Sequence, residues 1–272
     1  MDRVRRKRDS PEPTLQGMQT ELAALQEGAE ELKVSDHFTY EIASSHRKST
    51  QVSNNRSLTM HRQHMPSSNT ANIPLDQRLS QPVPDLLYGY PDKAMSQYYM
   101  HTPNLIANTQ GLILPFFAIE FKAEGPSSNG NLWVAENQAM GASVACVRIA
   151  ENLNRRLEEC ANLREVQKID TSAFSIAMSG SEARLFITWR DSPEKYIMKH
   201  VQSYAMSRPD NYLEFRRVVR NILDWGKDER LRDIFKCLDS LLEENRLQAS
   251  KMAKDRSRPG SSSGSDVSRR RR

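Results

Sequence analysis

Between about Val83 and Leu247, the apolar residues fall into short continuous runs and into stripes spaced three or four residues apart. The runs predict β-strands, and the stripes predict amphipathic helices. The longest run, at residues 115–122, is Pro-Phe-Phe-Ala-Ile-Glu-Phe-Lys, which predicts a buried strand ending in charged residues. The predicted strands lie at residues 83–88, 115–122, 173–178, 183–189 and 196–206.

The apolar stripes predict three helices in this region, at residues 132–160, 211–225 and 231–247. Small residues from Ala139 to Ala145 would let the first helix approach a sheet closely. Gly226 directly follows the second stripe, and we expect it to end that helix. Strands followed by a helix, a hairpin and further helices predict an α/β or α+β layered fold.

The two ends of the chain have a different composition. Residues 1–79 are rich in Ser, Asn, Gln, Arg and His, so we expect a mostly disordered arm. An apolar stripe within it predicts a short amphipathic helix near residues 14–33, which could dock on its own domain, self-associate or recruit a protein partner. A folded domain is expected at 80–248, followed by a disordered basic tail at 249–272.

Composition narrows the classes of protein that fit the chain. Its three cysteines have no Cys-x-x-Cys spacing, which favours free thiols in a reducing compartment. The apolar runs are too short to cross a membrane, and no signal-peptide core follows the amino terminus. We therefore expect a soluble intracellular protein.

The net charge of +5 is concentrated partly in basic runs at residues 5–8 and 269–272. Such runs can bind nucleic acid, direct nuclear import or simply solvate a tail. We expect a nuclear location only if these runs act as import signals.

The candidate chemistry lies at the charged end of the strand at 115–122. Because side chains alternate along a strand, Glu120 and Lys122 share a face. If Asp85 of the preceding strand lies about 4 Å from Glu120, the two carboxylates repel by roughly 4 kcal/mol at an effective dielectric of about 20. A divalent cation, Lys122 or both would offset this repulsion, and Mg²⁺ prefers such oxygen ligands. The alternative is an ion pair between Glu120 and Lys122 at a sheet edge.

Four segments together resemble a largely uncharacterised fungal family of PD-(D/E)XK nuclease-like domains. They lie at residues 83–90, 115–122, 135–139 and 220–225. The resemblance implies a restriction-endonuclease-like core, in which a mixed central sheet flanked by helices carries the acids at its centre. It implies Asp85 and Glu120 as metal-binding acids, Lys122 as the catalytic lysine and Gln138 as a polar helix residue facing the site. The backbone carbonyl of Phe121 is a further implied metal ligand.

Many families of this superfamily carry another acid on a helix ahead of the first motif. Glu30, Glu31 and Glu41 are the candidates here, and the sequence does not choose among them. We expect a nuclease that uses Mg²⁺ or Mn²⁺ to hydrolyse phosphodiester bonds of DNA or RNA. The alternatives are an inactive nucleic-acid-binding module of the same fold, and an interaction scaffold that recruits partners through its amino-terminal helix.

Overall fold

A computed structural model of the chain describes residue 6 and residues 15–26, 28–44, 50–65, 80–101, 103–124, 131–160, 165–193 and 195–256. The basic runs, except Arg6, lie outside the described residues, as do residues 257–272 of the predicted tail. None of the helices in the described part is long and apolar enough to cross a membrane.

The described residues form five α-helices and six β-strands. The helices are α1 (Leu15–Gln26), α2 (Glu31–His37), α3 (Leu132–Glu159), α4 (Pro209–Trp225) and α5 (Leu231–Arg256). The strands are β1 (Ser53–Arg56), β2 (Leu86–Tyr90), β3 (Ile113–Phe121), β4 (Ala173–Met178), β5 (Glu182–Ser192) and β6 (Lys195–Ala205). A π-helical turn, Phe38–Ile42, extends α2, and three short 3₁₀ segments lie at Arg62–His64, Asp92–His101 and Pro103–Leu105.

The six strands form one mixed sheet in the order β1-β2-β3-β4-β5-β6. All neighbouring strands are antiparallel except β3 and β4, which run parallel with Phe117 opposite Phe174. Parallel neighbours need a long crossover connection, and α3 provides it. Every residue of β3 is buried, because this strand lies in the middle of the sheet. The fold is therefore a mixed α/β structure with a mostly antiparallel sheet.

The predicted strands and helices between residues 83 and 247 are confirmed, with shifted ends. The strand predicted at 83–88 begins three residues later, as β2. Helix α5 runs nine residues past the predicted end, to Arg256. The strand expected at 196–206 is β6, and a separate helix, α4, follows it.

Gly226 follows α4 as predicted, but it does not interrupt the helical path. Its backbone stays right-handed helical, with φ −59° and ψ −43°, and a π-helical turn at Gly226–Arg230 leads directly into α5. A Cβ atom on Gly226 would lie 2.1 Å from Cζ of Phe116. Glycine is needed here because the ring of β3 packs directly on the helical backbone.

The described part of the amino-terminal arm is folded and contributes to the main core. Met18, Leu22 and Leu25 of α1 are buried, so this helix docks on its own domain. Phe38 packs edge-to-face against Phe121 of β3, with ring centroids 5.7 Å apart. The polar average composition of the arm did not indicate that these few apolar residues would be buried, but each of them packs in the core of the domain.

Candidate metal and catalytic site

Strand register brings the two predicted acids together. Leu86 of β2 pairs with Ile119 of β3, so the next position along each strand sets Asp85 opposite Glu120. Directly opposed residues in an antiparallel pair have Cβ atoms about 4.5–5.5 Å apart. Asp85 also accepts a hydrogen bond at Oδ2 from the backbone N–H of Phe121, at 2.7 Å. The juxtaposition of Asp85 and Glu120 proposed from the sequence is thus present in the structure.

Lys122 lies immediately beyond β3 and is mostly buried. Its Nζ donates a hydrogen bond of 2.8 Å to the carbonyl oxygen of Phe121. The same nitrogen lies 3.8 Å from Oε2 of Glu31, at the start of α2. Of the three upstream acids considered from the sequence, Glu31 is therefore the one that reaches this cluster.

Two glycines explain how α2 comes to lie over Lys122. Gly28, with φ +74°, turns the chain between α1 and α2, and a Cβ atom there would lie 3.3 Å from the carbonyl oxygen of Glu124. Gly180, in the loop between β4 and β5, packs so closely on α1 that its Cβ would lie 2.1 Å from the carbonyl oxygen of Leu25. These close approaches fix the α1–α2 turn against the end of β3, and so fix Glu31.

The cluster of Glu31, Asp85, Glu120 and Lys122 carries more negative than positive charge. Glu120 is 2% exposed. Burial, followed by the negative charge of Asp85, raises the pKa of Glu120 from its ordinary value of 4.5 to about 9, and Lys122 only partly opposes this shift. Glu31 raises the pKa further. The metal-free protein therefore keeps a proton on Glu120 at neutral pH.

The alternative of a Glu120–Lys122 ion pair at a sheet edge does not match this arrangement. Within the part of the chain that the structure describes, Lys122 pairs with Glu31 and no ion pair within 4.0 Å joins it to Glu120. Strand β3 also lies in the interior of the sheet. Glu120 is thus a buried acid facing another acid, while Lys122 pairs with Glu31.

Phe121 contributes to the cluster through its backbone. Its side chain packs against Phe38, whereas its carbonyl oxygen accepts the hydrogen bond from Lys122. The carbonyl implied as a metal ligand is therefore already bonded to the lysine of the same cluster. A carbonyl oxygen has two lone pairs, so a metal ion at this oxygen would share it with that ammonium.

The structure leaves the role of Gln138 open. Gln138 is exposed on α3, one turn after Ala135. Ala135 packs against Ala177, the β4 residue paired with Glu120. Gln138 therefore lies on the helix that covers the face of the sheet carrying Glu120, but it makes no hydrogen bond to the cluster within the described residues. Its assignment stays a prediction.

The donors at this site suit a hard cation in kind. Mg²⁺ usually takes one or two protein carboxylates and keeps several waters, and Asp85, Glu120 and the carbonyl of Phe121 provide oxygen ligands of that type. Across the described ranges, no three His, Cys, Asp or Glu side chains are arranged to hold a metal ion as they stand. The match to the proposed cation thus lies in the oxygen donors and in the excess of negative charge, and not in a ready-made group of three ligand side chains.

A positively charged side chain near the site, Arg184, was not anticipated from the sequence. Arg184 of β5 pairs with Ala177, which pairs with Glu120, so all three side chains share one face of the sheet. Arg184 is held by Glu136 of α3, at 2.6 Å, and by Glu182, at 2.7 Å. The alternation of side chains along β5 could have indicated which face of the sheet Arg184 occupies. It could not have indicated the two ion-pair partners, Glu136 and Glu182.

One comparison with known proteins gives a match. Residues 18–238 match the model of a family described as a domain of unknown function, DUF7924. No curated protein and no solved structure matches the chain. Because the match spans most of the sequence, from α1 into α5, the chain belongs to the DUF7924 family.

Proposed function

We propose that this protein is a metal-dependent nuclease that hydrolyses phosphodiester bonds of DNA or RNA, with Mg²⁺ or Mn²⁺ as its cofactor. The observation that carries the proposal is the pair of opposed acids, Asp85 and Glu120, with Lys122 beside them. Burying a carboxylate next to another carboxylate is unfavourable unless a cation offsets it. Strongly perturbed acids of this kind are concentrated at functional sites.

Each residue has a distinct role in the proposal. Asp85 and Glu120 hold the cation, together with the carbonyl oxygen of Phe121. A bound divalent ion polarises a phosphate and lowers the pKa of a bound water. Lys122 has three N–H donors, with which it orients that water or stabilises negative charge that develops on the phosphate. Glu31 positions the ammonium of Lys122.

The architecture supports a restriction-endonuclease-like core. Such a core is a mixed sheet flanked by helices with its acids at the centre, and Glu120 lies in an interior strand of a mixed sheet. The net charge of +5 supports a nucleic-acid substrate, because basic side chains offset backbone phosphates. Arg184 adds a guanidinium on the same face as Glu120, although two carboxylates already hold it.

A second candidate is a nucleic-acid-binding module of the same fold that does not turn over its substrate. The observation that favours it is the hydrogen bond from Lys122 to the carbonyl of Phe121, because the ammonium already neutralises part of the negative charge at a proposed metal ligand. Such a module would bind with a steep dependence on salt, and its binding would survive loss of Glu120.

Cleavage assays separate the two candidates. Purified protein is incubated with labelled single- and double-stranded DNA and RNA, with Mg²⁺, Mn²⁺ or EDTA, beside the variants Glu120→Gln and Lys122→Met. We expect cleavage by the unaltered chain with either metal, and its loss in EDTA and in both variants.

Matched controls keep the assay specific. Glu244→Gln changes another buried acid, which lies on α5 and accepts a hydrogen bond from Gln248. Lys195→Met changes an exposed lysine of β6. Both control proteins should cleave at the normal rate. If the unaltered chain binds nucleic acid but cleaves none of the substrates, and Glu120→Gln binds equally well, the protein is the inactive module.

A further inference from the structure

A polar cavity of about 500 Å³ lies beside the carboxyl-terminal half of α3. The segment before β4 and the end of β5 complete its walls. All of its lining side chains are polar or charged, namely Arg148, Glu151, Asn152, Asn154, Arg155, Glu158, Lys168, Thr171 and Arg190. A cavity of this size can hold a small molecule, and its lining excludes a mainly apolar one.

The cavity is separate from the candidate nuclease site. On α3, Ala135 packs near the strand pair that carries Glu120, whereas Glu151 faces the cavity. These two helix positions are about 24 Å apart along the axis, at a rise of 1.5 Å per residue. Thr171 precedes β4, while Glu120 lies near the end of the parallel strand β3. The two sites therefore lie at opposite ends of the β3–β4 pair.

Positive charge is in excess around the cavity, because its four cationic side chains face only two carboxylates. Arg190 pairs with Glu151 at 3.3 Å, and Lys168 pairs with Glu158 at 2.5 Å. The two remaining cations, Arg148 and Arg155, have no carboxylate partner in the cavity wall.

Arg148 is the less exposed of these two cations. One of its terminal nitrogens donates to the hydroxyl of Tyr196 at 3.3 Å, and its buried Nε has no partner within the described residues. Arg155 donates to Oδ1 of Asn152 at 2.7 Å. Its ion pair with Glu159, at 4.0 Å, joins two side chains that are each more than 60% exposed, so that pair contributes little.

We propose that this cavity binds a phosphomonoester carried by a sugar, such as the 5′-phosphate of a nucleotide. A phosphomonoester carries a charge of about −1.5 to −2 at neutral pH, which complements the excess of two positive charges. Arginine suits it, because the guanidinium presents parallel N–H donors to phosphate oxygens. The hydroxyl of Thr171 suits a sugar hydroxyl, whereas the amides of Asn152 and Asn154 already make hydrogen bonds to the backbone or to Arg155. The lining contains no aromatic ring on which a base could stack, so binding should show no base preference.

Calorimetric titration of the full chain with adenosine 5′-monophosphate tests the proposal, with uridine 5′-monophosphate and adenosine as companions. Both monophosphates should bind with similar affinity, and adenosine should not bind. Arg148→Gln, and the double variant Arg155→Gln with Lys168→Gln, should each weaken binding at least about tenfold. Lys195→Gln removes an exposed lysine elsewhere and should leave the affinity within twofold.

Two further arms complete the test. The double variant changes mainly exposed side chains, so its thermal unfolding midpoint should be normal even if Arg148→Gln is destabilised. Glu120→Gln should bind adenosine 5′-monophosphate normally, because the proposal does not depend on nuclease activity. Equal binding of adenosine and its monophosphate, no binding of either, or unchanged affinity in the double variant would each overturn it.

Competition in EDTA distinguishes the two sources of the phosphate group. A short oligonucleotide with a 5′-phosphate that displaces the mononucleotide, while its 5′-hydroxyl counterpart does not, identifies the end of a nucleic-acid strand. Displacement by mononucleotides alone identifies a free nucleotide. Both results support the phosphomonoester site, whereas displacement by both oligonucleotides would count against it.

Discussion

Glu120 and Arg230 are both ionisable side chains with only 2% of their surface exposed, yet their surroundings differ. The guanidinium of Arg230 lies 5.4–5.8 Å from the ring centroids of Tyr90, Phe116 and Trp225. It also donates to the carbonyl oxygen of Leu114, at 3.0 Å, and to the hydroxyl of Tyr90, at 3.3 Å. Glu120, by contrast, faces other acids.

The difference distinguishes an ionisable group whose burial the fold compensates from one whose burial it does not. Aromatic faces and carbonyl oxygens compensate the burial of a cation. Arg230 also holds the carbonyl of Leu114, a residue with φ +45°, and so supports an irregular start of β3. Glu120 has no comparable compensation, which is why we propose that it binds a cation from solution.

The largest expected effect is on catalysis. Glu120→Gln should reduce cleavage at least about 1,000-fold, equivalent to about 4 kcal/mol of transition-state stabilisation, because it removes a proposed metal ligand. Arg230→Met should leave the rate per folded molecule within a few fold. Single-turnover cleavage, normalised to the folded fraction from circular dichroism, measures both. Similar losses in the two variants would remove the distinction between them.

The free energy of unfolding should rank the two variants in the opposite order, with the larger effect in Arg230→Met. Arg230→Met should lower the free energy of unfolding by about 3 kcal/mol, because it removes three ring contacts and leaves the Leu114 carbonyl without its donor. Urea denaturation measures this. Arg232→Met is the matched control, since its side chain is 62% exposed, and it should change stability by less than about 0.5 kcal/mol. Unchanged stability in Arg230→Met would show that the surroundings of Arg230 do not offset the cost of its burial.

Gly226→Ala should destabilise the protein by about 2 kcal/mol, because the added methyl group would displace the ring of Phe116. That ring also covers Arg230, so the double variant Gly226→Ala with Arg230→Met should lose less than the sum of the two single losses. Urea denaturation of the three proteins completes the cycle. Strict additivity would show that the glycine and the arginine act independently.

Measured per pH unit, the smallest effect is the pH dependence of stability. The pKa of Glu120 is raised from 4.5 to about 9, so between these values the folded state binds up to one proton more than the unfolded state. Unfolding free energy in EDTA should therefore fall as pH rises, with a contribution of at most about 1.4 kcal/mol per pH unit. The contribution is fully present below about pH 4.5 and is lost as pH rises through 9.

Glu120→Gln should remove this contribution, whereas Glu244→Gln should not. Urea denaturation at several pH values compares the three proteins. A slope that is the same in all of them would mean that Glu120 is already ionised at neutral pH.

The sequence indicated Asp85 and Glu120 because each is an acid in a short apolar run, and the resemblance implied both as metal-binding acids. The register between β2 and β3 that sets them opposite each other joins distant segments, so the sequence analysis could only assume it. Glu31 could not be selected in advance. Its position depends on the turn at Gly28 and on the contact of Gly180 with α1, which joins segments distant in sequence.

The sequence also provided no indication of the surroundings of Arg230. They depend on the π-helical turn after Gly226, and the sequence pattern there indicated the end of a helix. The amino-terminal helices were underestimated because their apolar residues are few. Local composition does not reveal the tertiary partners that bury them, such as Phe121 for Phe38.

The β2–β3 register has a consequence for variation in chain length. Asp85 and Glu120 are set opposite each other by backbone pairing at Leu86 and Ile119, so the connection at residues 91–112 does not position them. Insertions or deletions in that connection should be tolerated at the site. A single residue inserted into β2 between Leu86 and Tyr88 would instead turn the following side chains to the other face. Homologues should therefore differ in the length of this connection while keeping the spacing within each strand.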